Sequence, residues 1–586
     1  MTARTRLRDK AERYGWFGAA LAALREETDA ALASGVGVPE EPGGWWHQYV
    51  CPTHGAELLF DSRESAASAF RCPRGCLLEG EAYRGAWLVF KHQERARTAL
   101  SAAALYAATG EARYAAAANA LLEAYARRYP AYPVHPDAQP WMLKGRAFHQ
   151  ALTEAIWATT MLRAYLLLRD EGALRVDESA AAVFFDLLTD SMTEYRRILI
   201  EERDEPANNY TAWLNACLAC LYAARDDRAG MEALVDARGG LRHHLDLAVL
   251  PDHLEFEGST YYHIFVLRAY GIAAEMAERL GFEASAWTGG AGQSIRGMLD
   301  AVVGLAAPNG EVPALHDGPY VRPPYAREIV ETFEIGYARF GDARYVPMLR
   351  EAYRRVDGER GSPERRGLEA VLYGEGEWPA EAASPLAEPS RLYAHAGFAA
   401  LRHAANPLSL LADFGPHGGS HGHDDKMNVV LMHRGGSCCR NAAWCRTAPR
   451  CGRSGTRVRR AIIRCRSAAG RKRRIRGVAS GSSTTATART RGCAAKERMP
   501  GRRSTGICGS IGTSCSIGSR CGSRRKRRSI IGSISRSRWT SWAGGRLARP
   551  TRRRAKTRRT GMRRRSRAGS PTRFPPPRRP CAAAIG

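Results

Sequence analysis

From Trp87 to Arg355 the apolar residues recur every three to four positions, and this periodicity limits what the chain can become more than any other feature. Alanine- and leucine-rich segments lie near 97–108, 111–128, 145–168, 179–201, 209–225, 229–249, 260–281, 291–306, 325–340 and 343–356, separated by Gly, Pro and Asp. They predict about ten helices joined by short loops. Each helix has one apolar stripe to bury, so neighbours in sequence pack antiparallel as hairpins. A closed ring of hairpins, a toroid, and an open solenoid both satisfy that demand, and no fixed-period motif marks a known repeat class. Residues 1–35 read as one more amphipathic helix, followed by a Pro/Gly loop from Val38 to Gly44 and the aromatic cluster Trp45, Trp46 and Tyr49.

After a Glu/Ala/Pro/Ser-rich linker, Gly374–Pro389, the apolar period changes from 3.6 to 2. Leu392–Arg402, Leu408–Phe414 and Met427–Met432 read as strands, the opening of a β domain with room for three or four strands before the composition changes. Between the second and third lies Gly415-Pro-His417-Gly-Gly-Ser-His421-Gly-His423-Asp424-Asp425. His421 and His423 are two apart, so on an extended backbone both project to one face and can share a carboxylate or a metal. A polar surface turn would explain one histidine; imidazoles and carboxylates this closely spaced between glycines point to metal or acid–base chemistry.

Two helix starts carry more polar groups than capping needs. In Glu205-Pro-Ala-Asn208-Asn209-Tyr210-Thr-Ala-Trp213 one asparagine suffices as N-cap. In Glu255-Phe-Glu257-Gly-Ser259-Thr260-Tyr261-Tyr262-His263 either hydroxyl residue can cap, and a tyrosine pair taken alone is commonly core. Together they supply an amide that can bind a carboxylate, a phenol that can move a proton, and an imidazole that can serve as partner base or carboxylate ligand. Those are the parts needed to remove a proton α to a carboxylate.

Nearer the N-terminus, Cys51-Pro-Thr-His54 and Cys72-Pro-Arg-Gly-Cys76 form two short knuckles, each turned by proline or glycine. Four soft ligands at this spacing suit a structural zinc site, with a small cysteine-bearing hairpin as the alternative. Cys217 and Cys220 sit in an apolar helical segment and read as small buried hydrophobes. No segment has the apolar core of a signal peptide or the length of a membrane span, so a cytoplasmic enzyme without a membrane partner is expected.

The overall net charge of +29 suggests an anionic partner, but it is an average over two unlike parts. Residues 437–586 hold 43 lysines and arginines against a single acid, Glu497, and ten of the 15 cysteines. Residues 1–436 hold 45 basic and 58 acidic residues. Runs such as Arg471–Arg474, Arg524–Arg528 and Arg552–Arg554 would bind phosphate non-specifically, yet they lack a fold-level motif or regular aromatic interleaving. Specific nucleic-acid recognition is not expected.

Five stretches together resemble the heparinase II/III-like polysaccharide lyases, a family that includes heparin lyases and oligoalginate lyases. They are the Cys-Pro knuckles with Gly85-Ala-Trp87, then Asn208-Asn209-Tyr-Thr-Ala-Trp213, Glu257-Gly-Ser-Thr-Tyr261, Leu315-His-Asp317-Gly318 and His421-Gly-His423-Asp. The resemblance covers about residues 40–436. It implies an (α/α) toroid followed by an antiparallel β-sandwich, a cleft between them, and β-elimination of glycans that contain uronic acid. It further implies that Asn209 neutralises the substrate carboxylate, that Tyr261 (with Tyr262 as the alternative) acts at C5 and the leaving O4, that His421 assists, and that His423 binds a structural zinc. Asn208, Tyr210, Tyr262 and His263 are the expected substrate-binding neighbours. Many members have histidine where this chain has Tyr210.

Family members continue past the His-x-His turn with a strand ending in an acidic residue and a His-Asn-Thr-Val segment, and neither is present. Joining the last base of each codon to the first two of the next lets Ser437–Arg440 read Glu-Leu-Leu-Pro and Ala461–Cys465 read His-Asn-Thr-Val. A frameshift close to Gly435–Ser437 is therefore expected, with a β-sandwich cut short and an impaired product. The expected organisation is an α+β multidomain chain: an N-terminal segment with the knuckles (1–90), the toroid (91–385), the start of the β-sandwich (386–436) and an out-of-frame basic tail (437–586). A glycoside hydrolase on the same toroid and a non-catalytic glycan- or nucleic-acid-binding protein are the competing readings.

Overall fold

The structure is a computed structural model that describes residues 2–320, 322–356, 361–380, 386–403, 406–415, 421–423, 428–433 and 436–439. His417, Asp424, Asp425 and the expected out-of-frame segment beyond Cys439 lie outside the described residues.

Among the described residues, helices α1 (Ala3–Arg13), α2 (Phe17–Ala33), α3 (Glu81–Thr109), α4 (Ala112–Arg128), α5 (Ala151–Asp170), α6 (Glu178–Arg197), α7 (Asn209–Ala224) and α8 (Arg228–Asp236) are followed by α9 (Leu241–Ala248), α10 (Thr260–Arg279), α11 (Ile295–Leu305), α12 (Pro323–Phe340), α13 (Val346–Val356) and α14 (Gly367–Tyr373). Several begin on side-chain caps: Asp177, Asn208, Asp227, Ser259 and Ser294 each accept a hydrogen bond from a first-turn backbone N–H. The packing order decides between solenoid and ring. α3 packs on α5, α5 on α7, α7 on α10, α10 on α12 and α12 on α14, and α14 returns to α2 and α3. The helices therefore close on themselves as a toroid, with α4, α6 and α13 packed outside the ring against these inner helices or one another.

The inner helix α7 is apolar nearly all round, as a helix buried on both sides must be. It buries Trp213, Leu214, Cys217, Leu218 and Cys220, which places both of these cysteines in the core as expected. A buried charge pair in the ring joins Arg365 to Glu334: the guanidinium meets the carboxylate through Nε at 2.8 Å and Nη2 at 2.9 Å, both side chains almost fully inaccessible.

The expected 1–35 helix is broken at Tyr14–Trp16 into α1 and α2, and both join the toroid core through Leu7, Phe17 and Leu24. The expected 229–249 helix divides into α8 and α9 at Gly239-Gly240, where Gly239 has a φ of +64° and a Cβ on Gly240 would lie 2.0 Å from the Leu234 carbonyl. α3 starts at Glu81, well ahead of the expected 97, because buried Lys91, His92 and Arg95 interrupt its apolar period.

The knuckle segment contributes a two-stranded antiparallel ribbon, β1 (Ala69–Arg71) and β2 (Leu77–Glu79), with its own small core around Tyr49, Phe70 and Trp87. At the other end, β3 (Arg391–Tyr393), β4 (Phe398–His403), β5 (Asn406–Asp413), β6 (Asn428–His433) and β7 (Gly436–Cys439) form one antiparallel sheet in sequence order. Tyr393, Phe398, Ala400, Leu411, Val430 and Met432 pack from one face of it onto Leu254, Ala301, Leu305 and Leu315 of the toroid. On the opposite face Leu401, Leu410 and Leu431 are aligned across three strands, and Leu392 and Phe414 are exposed. That second apolar face belongs to no hydrophobic core among the described residues. No described helix is long and apolar enough to cross a membrane.

Candidate active site

Where the sheet meets the mouth of the ring, four separate stretches converge. The first residue of α7, Asn209, is buried and donates from Nδ2 to Glu257 Oε1 at 3.2 Å; its Oδ1 accepts no hydrogen bond among the described residues. Glu257 precedes Gly258, whose φ of +76° turns the chain into α10, where a Cβ would crowd the His316 ring at 3.3 Å. Ser259 caps α10 and also donates to the Asp317 carbonyl at 2.6 Å, so the helix start and the 315–318 loop are tied together. From the sheet, His421 lies with Nε2 3.6 Å from Glu257 Oε2 and Nδ1 3.5 Å from Asp317 Oδ2. His423 Nε2 donates to Asp317 Oδ1 at 2.9 Å, and Asp317 N donates to the His421 carbonyl at 3.2 Å. The Tyr262 ring stacks on His421 with centroids 3.6 Å apart and an interplanar angle of 14°. Tyr261 is buried edge-on to Tyr262 at 5.1 Å, among Phe265, Tyr320 and Tyr325.

The carboxylates differ electrostatically. Burial alone would raise Asp317, but hydrogen bonds from His421 and His423 and their charges bring it down to about 2, so it is ionised at neutral pH. Glu257 is raised, chiefly by burial, against the lowering effects of His421 and Asn209; Glu255, whose Oε2 accepts from Glu257 N at 3.0 Å, is raised well above its ordinary value by burial and by Glu257. A carboxyl raised in the folded state contributes its stability below its unfolded value near 4.5 and loses it as pH rises through the folded value. Glu257→Gln should therefore change stability little at pH 4 and stabilise relative to the parent as pH increases, read as the difference in Tm between pH 4 and pH 8.

A further wall comes from the aromatic cluster. The His47 ring lies tilted by 33° against Trp46 with centroids 3.7 Å apart, and 5.0 Å from the Trp45 ring. Its imidazole is pushed down to about 3 by burial first, then by the charges of Arg322 and His421, with Asp317 opposing. Trp45 and Trp46 stand out in the sequence, but His47 does not, because nothing local shows that residue 47 meets residues 317 and 421.

The substrate-binding residues expected from sequence divide. Asn208 is spent largely on capping, its Oδ1 accepting from Tyr210 N at 2.9 Å. Tyr210 OH accepts from Gln150 Nε2 at 3.0 Å, which brings α5 into the wall. His263 is corrected: it is fully buried, Nδ1 accepting from Glu255 N at 3.1 Å and Nε2 facing the Met298 carbonyl at 3.0 Å, so neither nitrogen is open to a ligand. Its work is to hold the Glu255–Glu257 turn.

The Cys/His knuckles close into one cluster, with His54 Nδ1 3.5 Å from Cys51 Sγ, 3.4 Å from Cys72 Sγ and 3.5 Å from Cys76 Sγ. A tetrahedral zinc with ordinary bonds to sulfur and nitrogen separates such ligand atoms by about 3.5 Å, so the four residues fit that ion. Between the knuckles, Glu57 pairs with Arg322 Nε at 2.6 Å, and the Arg322 guanidinium lies 5.0 Å from the centre of the Trp46 ring. The Cys/His cluster is thus linked to the wall that carries His47. His423 fits a zinc site less well: its nitrogen is taken by Asp317, the neighbouring His316 by Asp413 at 2.9 Å, and no cluster of three ligands among the described residues includes it.

Residues 91–311 match the family model described as alginate lyase. An alginate lyase of Stenotrophomonas maltophilia (strain K279a) is 24% identical over 355 residues, 59% of this chain and 46% of that protein. An exo-oligoalginate lyase of Saccharophagus degradans (strain 2-40) is 27% identical over 203 residues, 33% of this chain and 27% of that protein. The chain thus spans less than half the length of these two relatives. Among solved structures, an alginate lyase from Bacteroides ovatus aligns at 14% identity and a TM-score of 0.40, covering 64% of this chain and 97% of that one. The matched segment runs through the inner helices that carry Asn209 and Tyr261, and over that segment the chain is similar to the alginate lyase family.

Proposed function

We propose that the cleft is the active site of a polysaccharide lyase that cleaves acidic oligo- or polysaccharides containing uronic acid, oligoalginate first among them, by β-elimination. The observation that carries this reading is the convergence of Asn209, Glu257, the Tyr261–Tyr262 pair, Asp317 and His421 from four distant stretches of chain. In the proposed reaction Asn209 hydrogen-bonds the uronate carboxylate and stabilises the charge that builds on it as the C5 proton leaves. Tyr261 takes that proton and returns one to O4 as the C4–O4 bond breaks, leaving a C4–C5 double bond on the new non-reducing end. His421, fixed between Glu257 and Asp317, assists the proton transfer.

A glycoside hydrolase needs two carboxyl groups standing about 5–9.5 Å apart across a sugar-sized gap. Here an imidazole bridges Glu257 and Asp317, which argues against that use. The reading is tested by incubating the protein with oligoalginate and following near-ultraviolet absorbance: a rise from 4,5-unsaturated ends is expected, and new reducing ends without absorbance would refute it.

We also read the sequence after Gly436 as out of frame. The aligned Leu401, Leu410 and Leu431 on the second face of the sheet support this, because a sheet with two apolar faces calls for a second layer. Resequencing the codons for Leu431–Cys445 should reveal a missing or extra base, and protein from the restored gene should be the more active; an unchanged reading would overturn it.

The Cys51/His54/Cys72/Cys76 cluster is proposed to hold a structural zinc that fixes the knuckle and, through Glu57 and Arg322, the Trp46–His47 wall. Cys72→Ser should lower zinc affinity by more than the about 10–100-fold that losing an outer hydrogen-bond partner costs. It should raise KM more than it lowers kcat, as metal titration and steady-state kinetics will show.

A further inference from the structure

A second group of ligating side chains stands apart from the knuckle and from the proposed catalytic cluster. His135, Asp137 and His149 each present a ligand atom, all within 4.8 Å of one another, and the two imidazoles meet edge to face with centroids 4.1 Å apart. The segment that carries them is held from several sides. His135 N donates to the Gly145 carbonyl at 2.8 Å and His149 N to the Gly44 carbonyl at 3.3 Å. Glu154 Oε2 accepts from both Arg146 N and Ala147 N at 2.7 Å.

His135 Nδ1 has only a long 3.4 Å contact from Asp137 N, and the Gly43 carbonyl lies near the ring. The Lys144 ammonium opposes a cation here, and the Asp137 carboxylate offsets it. His135 is buried, His149 partly so and Asp137 exposed, so a metal held by all three would keep open positions toward solvent.

The place is as informative as the ligands. His149 adjoins Gln150, which bonds Tyr210, and Gly44 adjoins Trp45, which packs edge-on against exposed Trp141 at 6.1 Å. Trp45 in turn touches His47. The group therefore lies at the Trp141 end of the aromatic wall that begins beside His421.

We propose that His135, Asp137 and His149 form an open divalent-cation site of the two-imidazole, one-carboxylate type, suited to zinc or another first-row transition ion. Its remaining positions take water or the carboxylate of an acidic sugar. The site stands on its own geometry and does not depend on the lyase reading.

The test is zinc binding by the full chain after chelator treatment, with the parent compared to Asp137→Ala, His149→Ala and the double variant. Because cysteines elsewhere in the chain also bind zinc, the readout is the difference from parent. Each variant should lose one equivalent, and the double variant should lose the same one. With cobalt(II) in place of zinc, Asp137→Ala should leave the thiolate-to-metal absorption of the knuckle intact while removing a weaker band from nitrogen and oxygen ligands. Asp137 is exposed, so its loss leaves the fold undisturbed. Unchanged stoichiometry in all three variants, or separate losses that sum in the double variant, would overturn the proposal.

Discussion

Tyr261→Phe should lower kcat by about 10²–10⁴-fold while leaving substrate affinity within a few fold, because it removes only the oxygen that moves the proton. The ring sits among Phe265, Tyr320 and Tyr325, so phenylalanine keeps the packing and folding should be unaffected. Tyr262→Phe is the matched control. Its ring would still stack on His421, and a modest effect is expected. If Tyr262→Phe instead carried the large loss and Tyr261→Phe the small one, the two tyrosines would exchange roles; if neither changed kcat, proton transfer by a tyrosine would be wrong.

Asn209→Ala should reduce kcat by about 10²–10³-fold, equivalent to about 2.7–4 kcal/mol of transition-state stabilisation. Its amide is buried and pre-aimed by Glu257, and a charge that grows on the substrate carboxylate gains most from a donor that need not reorganise. Since the amide acts more strongly in the transition state than in the ground state, kcat should fall further than KM rises. The opposite split, measured over a range of oligomer concentrations, would make Asn209 a binding residue only.

Much of the fold is legible in the chain because helix periodicity and cap residues are local properties. Asp177, Asn208 and Ser259 announce the starts of α6, α7 and α10. Ring closure is not local: it depends on α14 meeting α2 and α3, more than 250 positions away in sequence. The Cys/His knuckles were readable from spacing because four soft side chains in two tight turns have few other uses. The candidate site was readable only in pieces. Asp317 and Glu257 stand in recognisable motifs, but that His421 bridges them follows from how the sheet is set against the mouth of the ring. His263 shows the reverse failure. A histidine one residue from a tyrosine pair looks chemical, yet one further step around the helix carries it from the cleft to the Met298 carbonyl. His47 left no local signal because its partners are Asp317, Arg322 and His421, all far away in the chain.

The proposed elimination breaks the substrate without water. Cleaving oligoalginate in ¹⁸O-enriched water and weighing the products by mass spectrometry tests it most directly, with the protein as written beside protein from the frame-restored gene. Elimination predicts fragments with no ¹⁸O from bond cleavage, the new non-reducing end being lighter than a hydrolytic product by one water. Fragments carrying one ¹⁸O per bond broken would contradict it and assign Glu257 and Asp317 to hydrolysis instead.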